Sequence, residues 1–165
     1  MLIHALIKEI PFFWDFTEEE RRALIDRDSF FSTYPDGDYL VTEGDEDQAL
    51  FVLLKGEAKV VQMANPERII AMLAPGAVMG EVSFLTRRKR STHVISVGES
   101  IVFRIDSDIM NREHLDPALQ TKIKNQLIEI LVQRLEETNK ALISQKEANL
   151  TLTKALRDRV MQHSA

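Results

Sequence analysis

The stretch from Met79 to Val94, MGEVSFLTRRKRSTHV, sets one carboxylate, Glu81, beside Gly80 and then runs through four consecutive cations that end at Arg90. A carboxylate and a guanidinium on one loop suit a ligand whose two ends differ chemically. Arginine presents a planar fork of N–H donors that clamps a phosphate with paired hydrogen bonds. Glu81 would repel that phosphate unless it met a donor elsewhere on the same molecule, so the ligand should carry hydroxyls as well as charge. Glycine lets the backbone turn sharply or approach a ligand closely, and the VSFLT that follows can form one helical turn whose amide N–H groups suit an anion. A sugar phosphate meets both demands, with Glu81 accepting from a ribose hydroxyl and Arg90 holding the phosphate, and this points to a nucleotide.

The elements that must position these residues are strands. All six glycines, Gly37, Gly44, Gly56, Gly76, Gly80 and Gly98, fall between positions 37 and 98, at spacings of roughly a strand plus a turn. Between them lie apolar, β-branched or aromatic runs: SFFSTY (29–34), DYLVTE (38–43), ALFVLLK (49–55), EAKVVQM (57–63), RIIAML (68–73), THVISV (92–97) and SIVFRID (100–106). Seven or eight short strands of this kind predict a sandwich, barrel or jelly roll.

Helices are expected on both flanks. Thr17 followed by Glu18, Glu19 and Glu20 has the capping-box pattern, and TEEERRALIDR places Leu24 and Ile25 on one face. After the strands, Ser107 or Asp108 can cap a short helix through His114, and Asp116-Pro117 can cap a second. From Ala118 to Ala165 there is neither glycine nor proline. A single helix of about 45 residues would be roughly 68 Å long, so part of it must project beyond a domain of this size.

The heptad series Ile128, Leu135, Leu142, Asn149, Leu156 is strong, and the series three residues on, Leu131, Thr138, Gln145, Leu152, Arg159, is patchy. This predicts a two-stranded coiled coil in a homodimer, with Asn149 setting register. The alternative, one amphipathic helix lying on its own β-domain, would leave half of the leucine stripe wet. The expected organisation is a β-domain over 1–115 and a long dimerisation helix over 116–165.

Composition narrows the function classes. With 165 residues, 44% hydrophobic and 28% charged, the chain has enough apolar mass for one globular core plus an appendage. The absence of cysteine excludes disulfides and thiolate metal sites, and the cytoplasm is the expected compartment. MLIHALIKEI is too short and too interrupted by His4, Lys8 and Glu9 for a signal peptide, and there is no apolar run of the roughly 18 residues that a membrane helix needs. A net charge of -5 argues against direct DNA binding. Charge is uneven, however: residues 119–165 carry eight Lys/Arg against five Asp/Glu, a net of +3, which leaves -8 for the remainder.

Gly80-Glu81-Val82-Ser83-Phe84-Leu85 followed by Arg90-Ser91 resembles the phosphate-binding cassette of cyclic-nucleotide-binding domains, found in catabolite-activator-type regulators and in regulatory subunits of cyclic-AMP-dependent kinase. The order IPFFWDFTEEERRALI, YPDGDYLVTEGD, ALFVLLKGEAKV and LAPGAVMGE is similar to that family's across residues 10 to 106. The resemblance implies a mainly β fold with flanking helices, an eight-stranded β-roll, and cAMP or cGMP as regulatory ligand with no metal. Carried onto this chain, it makes Glu81 the acceptor for the ribose 2′-hydroxyl and Arg90 the phosphate clamp. Gly80, Val82 and Ser83 shape the pocket, and Ser91 adds a hydroxyl. On the long helix VQRLEETNK resembles the region that reaches the purine, partly from the partner subunit, so Thr138 and Asn139 are the expected base contacts. Two departures stand out: Thr92 and His93 follow Ser91 where the family usually has small residues, and Arg87-Arg88-Lys89 replaces a less charged loop. In full-length regulators of this resemblance a helix-turn-helix domain follows the long helix, and none stands in this sequence. Output is therefore expected through the helix, an unidentified protein partner or a domain beyond it.

Other readings are weaker on chemical grounds. A structural Glu81–Arg90 ion pair is a poor stabiliser compared with apolar packing. The acidic turn Gly44-Asp45-Glu46-Asp47 lacks the alternating oxygen ligands of a calcium loop, and His4, His93, His114 and His163 are scattered singly rather than clustered for a metal. With no nucleophile elbow or Walker loop, the chain reads as a sensor or, if the pocket is degenerate, a non-binding dimeric scaffold, rather than as an enzyme.

Overall fold

In the computed structural model, which describes residues 2–111 and 115–163, two long strands form the spine of the fold. They are β3 (Ala49–Val61) and β6 (His93–Asp106), paired antiparallel from Ala49↔Asp106 to Val61↔His93. Around them β1 (Phe31–Tyr34) and β2 (Tyr39–Val41) pair with β6, and β4 (Ala71–Leu73) and β5 (Val78–Met79) pair with β3, all antiparallel.

Among the described residues the sheet has six strands where an eight-stranded roll was expected. The run 49–55 and most of 57–63 belong to one strand, and most of 92–97 and all of 100–106 to another. Gly56 and Gly98, read in the sequence as turn punctuation, stand where the register shifts: Lys55 pairs with Ile101 and Glu57 with Val97. An irregularity of this kind bends a strand without ending it, so each long strand turns a corner of the roll and serves both sides.

The interior follows from alternation. Ala49, Phe51, Leu53 and Ala58 of β3, Leu40 and Val41 of β2, Met79 of β5, and Val94 and Val102 of β6 make one buried cluster. The intervening Leu50, Val52 and Leu54 are buried as well. Burial on both faces produces a continuous apolar run, and the N-terminal segment supplies the second cover. Helix α1 (Leu2–Glu9) packs on β3, and the 3₁₀ turn Pro11–Phe13 sets Phe13 edge-on to Phe103 of β6, centroids 5.3 Å apart. Phe30 meets the same ring at 5.6 Å. MLIHALIKEI, too short and too interrupted by charge for a signal peptide, is thus largely helix.

Local signals produce the remaining helices. In α2 (Glu18–Ile25) the Thr17 hydroxyl accepts from the Glu20 amide and the Glu20 carboxylate accepts from the Thr17 amide, completing the capping box. α3 (Glu81–Thr86) follows β5, and α4 (Ser107–Asn111) follows β6. The stretch 112–114, through which α4 was expected to continue, lies outside the described residues. α5 (Pro117–His163) starts at its proline, with the Asp116 carboxylate accepting from the Ala118 amide at 2.8 Å, and runs uninterrupted for 47 residues.

The chain divides into two compact units, Met1–Ile123 and Lys124–Ala165. In the first, Leu119 and Ile123 are buried and Lys122 bonds the Glu20 carboxylate at 2.7 Å. The second is helix, on which Ile128, Leu135, Leu142 and Leu156 of the strong heptad series are exposed in the single chain.

Candidate functional site

The pairing of β5 with β3, Phe51↔Met79 and Val52↔Val78, delivers Gly80 to the start of β3. There Arg90 folds in beneath it. Arg90 is 4% exposed, and its guanidinium donates from Nη1 to the Gly80 carbonyl at 3.1 Å and from Nη2 to the Ala49 carbonyl at 2.6 Å and the Asp47 carboxylate at 2.9 Å. Its Nε–H is buried and has no hydrogen-bond partner among the described residues. A buried donor of this kind costs free energy until an acceptor reaches it.

Gly80 answers to this packing. Its φ is +80°, and a Cβ there would overlap Arg90 Nη1 and stand 2.7 Å from the Ala49 carbonyl oxygen. Only a residue without a side chain leaves the guanidinium its place. Gly80 then caps α3, whose first helical bond runs from the Phe84 amide to the Gly80 carbonyl.

Arg90 is held by its backbone too. Its amide donates to the Asp45 carbonyl and its carbonyl accepts from the Gly44 amide, both at 2.9 Å, so the acidic turn and the cationic loop form one unit. Lys89 adds an exposed contact to Glu46 at 3.2 Å. Asp47 joins two arginines: besides Arg90 it faces Arg104 at 3.5 Å, and Arg104 in turn pairs with Asp106 at 2.8 Å. Both guanidinium carbons lie 5.8 Å from the Phe51 ring centroid, within cation–π range. Burial alone would raise the Asp47 pKa. The hydrogen bond and charge of Arg90, the Ala49 amide and Arg104 outweigh it, and the carboxyl stays below its ordinary value.

The other expected residues divide by placement. Glu81 and Ser83 are buried with Arg90, whereas Val82, at 47% exposure, faces outward from α3. Ser91 is exposed and Thr92 half-buried. His93 is buried, and its Nδ1 accepts from the Glu43 amide at 3.0 Å. Thr138 and Asn139 are exposed positions of α5 within the second unit. Asp47 was missed: the turn reading of Gly44–Asp47 set it aside, and the available signal was a carboxylate placed two residues before the apolar run Ala49–Leu54 that opens β3.

A concavity of about 310 Å³ lined by Glu46, Asp47, Gln48, Asp106, Ser107 and Asp108 shares Asp47 with this site. Its carboxylates disfavour an anion. Among the described residues no group of three or more His, Asp or Glu could hold a metal ion, and no helix is long and apolar enough to cross a membrane.

Comparison with known proteins agrees with this architecture. The chain is 32% identical over 69 residues to the cyclic AMP receptor protein of Thermus thermophilus, covering 41% of this chain and 32% of that one. It is 30% identical over 83 residues to human cGMP-dependent protein kinase 2, covering 48% of this chain and 11% of the kinase. The chain thus spans under half the length of these curated relatives. Among solved structures, a cyclic nucleotide-binding domain from Methylobacillus flagellatus superposes with a TM-score of 0.69 at 26% identity, over 87% of this chain and 82% of that one. A model of the cyclic nucleotide-binding domain matches residues 31–114, half of the sequence and the whole roll with its Gly-Glu turn and buried arginine, and the chain belongs to that family.

Proposed function

We propose that this protein is a cyclic-nucleotide sensor that binds cAMP or cGMP at Glu81 and Arg90 and signals, as a homodimer, through α5 to a protein partner. The observation that carries the reading is the buried Arg90 Nε–H without an acceptor. A cyclic phosphate oxygen would satisfy it, while the remaining guanidinium donors keep their protein partners. Glu81, buried one residue from the Gly80 turn, accepts from the ribose 2′-hydroxyl, and Ser83, buried on the same helix, bounds the pocket. Relatives named for cAMP and for cGMP both match, so either purine fits the reading.

In this function residues 1–115 are the binding domain and 116–165 the dimerisation helix, with Thr138 and Asn139 closing on the base. The exposed stripe Ile128, Leu135, Leu142 and Leu156 supports pairing with a second copy, because an isolated helix with that much wet apolar surface is poorly stable. The protein works in the cytoplasm, an assignment supported by the lack of cysteine. In this reading it has no catalytic role.

A second reading, a dimeric scaffold with a degenerate pocket, draws on the three protein acceptors that Arg90 already has. Titration calorimetry with cAMP and cGMP decides between the two. The sensor reading expects binding of at least one nucleotide and a loss of about 2 kcal/mol or more in Arg90→Ala. Failure of both nucleotides to bind at millimolar concentration would leave the scaffold, and an Arg90→Ala protein that binds as tightly as the wild type would remove Arg90 as the phosphate clamp.

A further inference from the structure

We infer that His93 is a positioning residue for the guanidinium of Arg90: its ring fixes the turn that carries Asp47, and Asp47 holds Arg90. As a statement about ligand binding this rests on the reading of Arg90 given above; as a statement about the turn it stands alone. His93 is the first residue of β6 and is 8% exposed. Its Nδ1 accepts from the Glu43 amide at 3.0 Å, across 50 residues of sequence. An imidazole nitrogen that accepts carries no proton, so the ring proton sits on Nε2 and the tautomer is fixed by the fold.

Placement gives the bond its consequence. Glu43 opens the segment that contains both backbone partners of Arg90, Gly44 and Asp45, and its side-chain partner Asp47. The far side of Glu43 is tied as well, its carboxylate accepting from the Met63 amide at 2.7 Å. On the other face of the ring Tyr39 packs edge-on at 5.2 Å, so the imidazole cannot swing away without losing an aromatic contact. The turn is tied to the loop that ends at Arg90 through ion pairs and backbone hydrogen bonds, and to the start of β6 through the neutral acceptor of His93. Small residues at this position would leave the Glu43 amide without its acceptor. The histidine that departs from the family's usual pattern therefore has a physical task outside the pocket, in the turn behind it.

The test separates acceptor chemistry from packing. His93→Phe keeps a ring against Tyr39 and removes the acceptor, His93→Leu removes both and serves if the Phe variant folds poorly, and His93→Asn puts an amide Oδ1 where Nδ1 stood. In ligand-free protein, hydrogen exchange at the Glu43 amide should speed by about tenfold or more in the acceptor-less variants, with a shift of the Arg90 Nε–H resonance, and His93→Asn should restore both. Calorimetry should show cAMP or cGMP affinity falling by about tenfold in His93→Phe, recovering in His93→Asn, and showing no further loss when His93→Phe is added to Asp47→Asn. Unchanged Glu43 exchange in His93→Phe, a His93→Asn protein as impaired as the Phe variant, or a His93→Phe effect that persists in full without Asp47 overturns the inference. A wild-type protein that binds neither nucleotide sinks the binding reading, and the exchange measurements still decide the role of His93.

Discussion

Replacing Gly80 with alanine tests the packing of the site without touching a polar group. Two costs add. The first is conformational: at φ +80° an L side chain loses about 1–2 kcal/mol relative to glycine. The second is steric: the new methyl overlaps Arg90 Nη1, the end of a side chain, and stands 2.7 Å from the Ala49 carbonyl, a backbone atom held by the pairing of β3 with β6. Overpacking of this kind costs about 1–3 kcal/mol. Gly98→Ala is the control, because Gly98 has φ +69° and nothing within 4 Å of an added Cβ, so it carries only the first cost. Urea unfolding followed by the single tryptophan, Trp14, reads the first unit. Gly98→Ala should lose about 1–2 kcal/mol and Gly80→Ala about 2–5, and at the midpoint each kcal/mol lowers Tm by about 2–4 °C in a chain of this size. Gly80→Ala should also weaken nucleotide binding by about tenfold or more, since the displaced guanidinium no longer presents its Nε–H, whereas Gly98→Ala should not. Equal destabilisation of the two variants, with full affinity in both, would refute the claim that Gly80 is glycine because Arg90 lies against it.

Other consequences are open to direct measurement. If Glu81 accepts from the ribose, the 2′-deoxy cyclic nucleotide should bind about 10- to 100-fold more weakly than the ribonucleotide, and Glu81→Gln should remove most of that discrimination in calorimetry. Asp47 has its folded-state pKa below the ordinary 3.8, so its stabilising contribution is complete above that value and is lost as pH falls through the folded one. Acid unfolding should therefore steepen below pH 3.8 in the wild type, and Asp47→Asn should flatten that limb while lowering stability at neutral pH. If α5 pairs with a second copy through its exposed heptad stripe, Leu135→Asp with Leu142→Asp should convert dimer to monomer in sedimentation. Alanine at Thr138 and Asn139 should leave that dimer intact and weaken nucleotide binding, and unchanged affinity would remove the helix from the pocket.

The sequence by itself determined what depends on neighbours within a turn or so of chain. The Thr17–Glu20 box, the Asp116-Pro117 start of α5 and the uninterrupted helix to His163 were readable because a cap or an absent breaker acts over about four residues. Gly80, Glu81 and Arg90 were readable as a chemical pattern, though the need for Gly80 was not, since it lies in the guanidinium packed on its Cα. The tertiary structure decided the rest. It brought Asp47 to Arg90 across 43 residues and His93 to Glu43 across 50, and it made Gly56 and Gly98 irregularities inside strands instead of turns between them. All of these depend on the register of β3 against β6, which is settled only when the apolar faces of distant segments close on one another, and no local window of sequence contains that information.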